Sequence, residues 1–229
     1  MNLPFAEIVD LGHEMYTGMP NISGHPVQFW PINTHRKYET LSGGKVSMES
    51  RMMLMPEHAS THLDVPRHCV AGATDVAGVP LERLVLPGHL LDLTHKGRPE
   101  AVTIEDLERA VEESGKAIEA GTALLAWTGA DTYWGEPGYT TERPYFPVET
   151  AKWLVERDIA LFGTDLIGMD DPGQWWWPTH RTWLEANICM VQQMRNLGAL
   201  VGKEFLLVVA PLKMRDGTGC PVRPIALVL

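Results

Sequence analysis

The feature that most limits the architectures open to this chain is the way its apolar residues are parcelled. They fall into short runs, separated by glycine and proline, of which there are 21 and 17. Runs that short and rich in Val, Ile and Leu suit strands buried in a sheet, and the flanking breakers keep them from joining into long helices. On this reading strands are expected at residues 6–11, 46–54, 89–93, 123–127, 160–164, 205–209 and 225–228. Three stretches have helical character instead. Thr103 offers a capping hydroxyl ahead of Glu105 and Asp106, and Ile104, Leu107, Ala110 and Val111 then recur at helical spacing, with an acidic face expected to run to Glu119. A second helix follows Pro147 as far as Glu156, and a third starts at Pro178 and reaches Ala186. Strands interleaved with a few helices predict an α/β domain with a mixed sheet core, and 229 residues with no repeat or linker predict one domain over 1–229. Residues 132–147 read as a single long loop, and loops of that length in compact domains often carry function.

Charge and cysteine usage narrow the possible partners. A formal charge of -10 would be repelled by nucleic acid phosphates and by anionic membrane surfaces. The longest apolar runs, 123–127 and 205–210, fall far short of the roughly 20 residues that cross a bilayer. The opening Met1-Asn2-Leu3-Pro4 has neither the basic nor the apolar region of a secretory leader. Three cysteines at irregular spacing, Cys69, Cys189 and Cys220, form no disulfide framework and suit a reducing compartment. The cytoplasm is the expected location, and Cys189 and Cys220 are expected to be inert.

The chemistry concentrates in Glu57-His58-Ala59-Ser60-Thr61-His62-Leu63-Asp64-Val65-Pro66-Arg67-His68, where three histidines and an aspartate fall within eleven positions. If the stretch is extended, His58, Ser60, His62, Asp64 and Pro66 share one face, and His68 joins them if the strand continues past the proline. Two imidazoles and a carboxylate converging on one side form the usual protein shell of a catalytic divalent cation. A lone strand histidine is more often structural. Four such groups in register would be costly to bury without a common partner.

This segment resembles the H-x-G-T-H-x-D-x-P-x-H signature of the cyclase-like metal-dependent hydrolases, a family that includes bacterial kynurenine formamidase and isatin hydrolase. Ser60 stands where the glycine is usual, a change expected not to move the ligands. Similarity extends through Val9-Asp10-Leu11, Gly18-Met19-Pro20, 80–85, 90–93, 124–129, 161–165 and the late segment from His180 to Leu197. The resemblance implies a swivelling β/β/α fold in dimers or tetramers. It also implies His58, His62 and Asp64 as metal ligands and His68 as the proton-transfer group. The family's later histidine matches His180, and its glutamate matches Gln192. A neutral amide there leaves Asp64 as the only anionic ligand, too little charge to hold two adjacent dications. One ion is therefore expected, held by His58, His62, Asp64 and the Gln192 carbonyl, with Gln193 the alternative should the register shift by one. The oxygen-rich shell favours Mn2+, with Zn2+ the alternative.

For the substrate side, Trp175-Trp176-Trp177 lies just before His180. Trp176 and Trp177, with Met19 and Phe29 beyond the early turn and His180 itself, are expected to wall a pocket for a small planar molecule. A subunit interface is the competing reading for the tryptophans. Met52, Met53 and Met55 read as core packing leading into the site. The expected reaction is metal-assisted opening of a cyclic amide or imide such as isatin. Alternatives are deformylation of an N-formyl aryl amine such as N-formylkynurenine, and a metal-dependent lyase or dehydratase reaction on a small carbonyl compound.

Overall fold

The computed structural model describes residues 4–21 and 24–229. Met1 to Leu3, most of the stretch weighed above for a leader, lie outside the described residues. The chain runs through β1 (Glu7–Asp10), β2 (Gln28–Asn33), α1 (His35–Ser42), β3 (Ser50–Leu54), β4 (His62–Asp64), β5 (Val85–Asp92), α2 (Ile104–Ser114), β6 (Ala123–Trp127), α3 (Val148–Val155), β7 (Leu161–Thr164), α4 (Pro178–Glu185), β8 (Cys189–Gln192), β9 (Phe205–Val208), β10 (Gly219–Pro221) and β11 (Ile225–Val228). Among the described residues nine strands form one mixed sheet, ordered β1-β11-β9-β5-β6-β7-β8-β4-β10. This is the expected α/β class with a mixed sheet core.

The centre of the sheet is parallel because helices connect its strands. β5, β6, β7 and β8 pair in parallel, with α2, α3 and α4 making the three crossovers. Strands covered on both faces must be apolar throughout, and β6, Ala-Leu-Leu-Ala-Trp, obeys that rule. Its Leu124 and Ala126 pack with Leu107 of α2, Leu154 of α3 and Trp183 of α4. Its Ala123 and Leu125 enter a second cluster, shared by Val9 of β1, Ala226 of β11, Leu63 of β4 and Cys220 of β10. Both ends of the sheet feed that one cluster, so the sheet is curled.

Local chemistry fixes the helix ends. Thr103 accepts from the Asp106 amide at 3.2 Å while the Asp106 carboxylate accepts from the Thr103 amide at 2.9 Å, a reciprocal cap. Gly115, at φ 68°, ends α2 at Ser114, which shortens the acidic helix expected to reach Glu119.

Two expectations are overturned. The run 46–54 does not join the main sheet. Only 50–54 is strand, and it pairs with β2 in a separate two-stranded sheet. Met52 and Met53 are 48% and 59% exposed there, so they are not core residues. Alternation of apolar side chains is compatible with any covered face, and nothing local specifies which element does the covering.

Candidate metal centre

The signature segment is not one continuous strand. Glu57 to Thr61 turns, His62–Asp64 is strand, and Pro66–His68 is a short 3-10 turn. The face-sharing argument for extended backbone therefore fails. The side chains converge because a left-handed residue reverses the chain before β4. That residue is Ser60, at φ 56°, a conformation ordinarily left to glycine.

Hydrogen bonds then fix each ring nitrogen. Thr218 Oγ1 donates to Glu57 Oε2 at 2.6 Å and accepts from His58 Nε2 at 3.0 Å, which leaves His58 Nδ1 toward Asp64 Oδ1 at 2.6 Å. His62 donates from Nδ1 to the Ser60 carbonyl at 2.8 Å, which leaves Nε2 3.3 Å from the same Asp64 oxygen. Outer partners that set the tautomer in this way are the usual support of metal-binding histidines. Gly219 provides the room, since a Cβ there would stand 2.5 Å from His58 Cε1.

Asp64 is completely buried. Burial alone would raise its pKa, but His62 and His58 outweigh it and hold the carboxyl well below its ordinary range. Burial likewise pulls against His58, and Asp64 more than compensates, raising the His58 pKa. This donor set fits a divalent cation: two oriented imidazole nitrogens around one ionised, buried carboxylate. Ligand atoms of His58, Asp64 and His68 also lie within 4.8 Å of one another. Distance alone therefore does not divide ligand from proton carrier.

The remaining expected residues separate into two groups. Gln192 pairs with His62 across β8 and β4, and its amide nitrogen contacts Asp64 Oδ2 and lies 3.0 Å from His180 Nε2. A ligand role needs that amide flipped so that the carbonyl faces inward. Gln193 turns away, with its amide 3.4 Å from His62 Nδ1. His180 Nδ1 contacts the Asp170 carboxylate, whose other oxygen accepts from the Thr179 amide at 2.6 Å, and His180 Nε2 lies 3.8 Å from Asp64 Oδ2. His68 stacks on Trp177 with ring centres 5.9 Å apart, and burial drops its pKa to about 4.

His58, His62, Asp64, His68, His180 and Gln192 line a cavity of about 350 Å3, a size suited to a small molecule, and Gln193 does not. Trp177 and Trp175 form part of its wall, and Trp176 does not, contrary to expectation. Adjacent residues in a turn point apart, so a run of three cannot all face one space. Met19 and Phe29 also fall outside the cavity lining. They pack with Val27, Ala59 and Met55 in a third apolar cluster behind the signature segment.

The sequence reading missed Asp170 and Arg143, both in the cavity wall. Asp170-Asp171 before the tryptophans was the available signal for the first. The second lies in the long loop at 132–147 expected to carry function, but no residue of that loop was singled out.

The chain matches the Cyclase family over residues 9–171, and it belongs to that family. It is 29% identical over 196 residues to isatin hydrolase of Roseibium aggregatum, covering 77% of this chain and 73% of that one. It is 24% identical over 203 residues to kynurenine formamidase of Geobacillus thermodenitrificans, covering 86% and 90%. Its fold matches isatin hydrolase A from Labrenzia aggregata bound to benzyl benzoate, with a TM-score of 0.84 at 24% identity over 96% of this chain and 93% of that one.

Proposed function

We propose that this protein is a metal-dependent hydrolase that opens a C–N amide bond in a small planar cyclic amide or imide resembling isatin. The observation that carries this reading is the meeting of His58 Nδ1 and His62 Nε2 at the Asp64 carboxylate, in the wall of an aromatic-sided cavity. His58, His62, Asp64 and the Gln192 carbonyl would hold one divalent cation, Mn2+ by preference and Zn2+ as the alternative. When bound, such a cation acidifies water and polarises a carbonyl.

The chain's own groups do the rest. His58 and His62 are held in single tautomers by Thr218 and Ser60. Asp64, kept ionised, supplies the negative charge. His68 is neutral at pH 7, because burial lowers its pKa, and its ring nitrogens make no hydrogen bond among the described residues. It is therefore free to take a proton from water and return it to the leaving nitrogen. His180, braced by Asp170, presents Nε2 toward the same space. Trp177 and Trp175 give the cavity an aromatic wall suited to a planar ligand.

Deformylation of an N-formyl aryl amine is the second reading, favoured by likeness to kynurenine formamidase over most of the chain. A screen of the manganese-loaded protein against isatin, other cyclic imides and N-formylkynurenine separates the two. Hydrolysis in 18O-labelled water must place the label in the product; an unlabelled product would point to lyase chemistry instead.

The small molecule is the expected partner, in the cytoplasm, with the protein as a homodimer or homotetramer. The apolar surface of β2, α1 and β3 supports that assembly: Trp30, Ile32, Leu41, Met52, Met53 and Leu54 are all exposed. No helix among the described residues is long and apolar enough to cross a membrane.

A further inference from the structure

Arg143 is a buried cation in the cavity wall that the chemistry above does not use. It projects from the long loop at 132–147 and is only 5% exposed. Its Nε donates to the Gly168 carbonyl at 2.7 Å, its Nη1 to the Thr140 carbonyl at 2.9 Å and its Nη2 to the Asp170 carbonyl at 3.2 Å. All three acceptors are neutral. A guanidinium carries five N–H donors, so two remain uncommitted among the described residues.

No carboxylate of the described residues lies within 4.0 Å of the group. The two nearby acids are engaged elsewhere. Asp170 serves His180 and the Thr179 amide, and Asp171 accepts from the Gly173 amide at 2.8 Å. The site is also shaped for the arginine, because a Cβ at Gly168 would stand 2.9 Å from Nη2. Burial still lowers the Arg143 pKa although the Asp170 and Asp171 carboxylates oppose it. A cation whose direct hydrogen bonds all go to carbonyls is thus left incompletely compensated, and a carboxylate in contact would match two guanidinium donors at once.

We propose that Arg143 binds a carboxylate carried by the substrate, so that the preferred substrates are anionic: amides that also carry an acidic group. This rests on the hydrolytic reading only for the word amide; the anion preference stands on the arginine. The test is calorimetric titration of benzoate and its neutral isostere benzamide into full-length protein, first stripped of metal and then loaded with manganese. Metal-free wild type should bind benzoate about tenfold or more tightly than benzamide, as a charge-assisted pair requires, and added NaCl should erode the difference. In R143Q the two ligands should bind alike, and R143K should fall between. Equal binding by metal-free wild type overturns the proposal without any variant, and so does a preference that survives in R143Q. Should R143Q fail to fold on thermal unfolding, R143K and the salt series decide.

With manganese, kcat/KM for 4-carboxyphthalimide should exceed that for phthalimide in wild type but not in R143Q. If neither imide is hydrolysed yet the benzoate preference holds, the cyclic imide reading falls and the anion site remains. The reverse outcome, hydrolysis without charge preference, removes only the anion site.

Discussion

Residues 57–68 and residues 28–54 are neighbours in sequence and opposites in what supports them. In the first, every residue from Ala59 to Pro66 is buried, and each candidate ligand has a partner from far along the chain: Thr218 for His58, Gln192 across from His62, Gly219 across from Asp64. In the second, no residue is buried. α1 is properly capped, with Thr34 accepting from the Lys37 amide and Gly43 at φ 59°, yet it covers no core. β2 and β3 pair only with each other, and an isolated two-stranded sheet is marginal in water. The arm carries four basic residues, Arg36, Lys37, Lys45 and Arg51, against Glu39 and Glu49, within a chain of formal charge -10. Local rules are satisfied in both regions. Only the first is also satisfied by its own chain.

The sharpest way to break the contrast is at Asp64. Asp64→Asn leaves the fold's apolar contacts but removes the only buried charge between His58 and His62. Metal content by elemental analysis should fall to background and hydrolysis with it, while the arm is untouched. His68→Ala comes next. It should retain the metal and reduce turnover by roughly 10²–10⁴ fold, and full activity would remove His68 from the reaction.

The arm should answer to a different assay. Trp30→Ser combined with Met53→Lys should shift light-scattering mass to that of one chain and lower Tm. Each large apolar side chain covered by a partner contributes about 1.5–3 kcal/mol. An unchanged mass would mean that the arm is not the interface.

Acid sensitivity should belong to the buried region alone. His13, whose amide donates to Thr61 Oγ1 at 2.9 Å and whose ring stacks on Trp134, has its pKa pushed down to about 4 by burial. The unfolded chain therefore binds a proton more readily between pH 6.5 and 4, and stability is lost as pH falls through that window. His13→Phe should remove part of the acid limb of a Tm-against-pH curve, His68 contributing in the same window, and an unaltered limb would clear His13 of any share. The smallest effect is expected at Ser60→Gly. It relieves a left-handed serine whose hydroxyl is buried without a partner, and should add about 1 kcal/mol in denaturant titration.

These two regions also mark what could be read from sequence. The run 123–127 coincides with β6 because a strand apolar on both faces can only be central. The signature was legible as chemistry because His, Asp and Pro at fixed spacing carry meaning apart from conformation. Its geometry was not legible, since the left-handed turn at Ser60 lies under a residue that does not advertise one. β4, β8 and β10 are three or four residues each and are defined by pairing with distant chain rather than by their own pattern. Arg143 was invisible for the same reason: its meaning comes from Gly168 and Asp170, 25 and 27 positions away. Trp176 was misplaced because proximity in sequence to His180 was taken for proximity in space, whereas Met19 was placed by resemblance alone and packs instead with Val27 and Ala59.

The pairing of His62 with Gln192, and of Asp64 with Gly219, has a consequence for biosynthesis. A ribosome delivers His58, His62 and Asp64 well before Gln192, Thr218 and Gly219, the distant partners that complete their surroundings. A partly made polypeptide thus has the candidate ligands without the proposed site around them. If the proposed site binds a cation, uptake should wait until the strands carrying Gln192 and Gly219 have docked, and a loaded ion would report that docking.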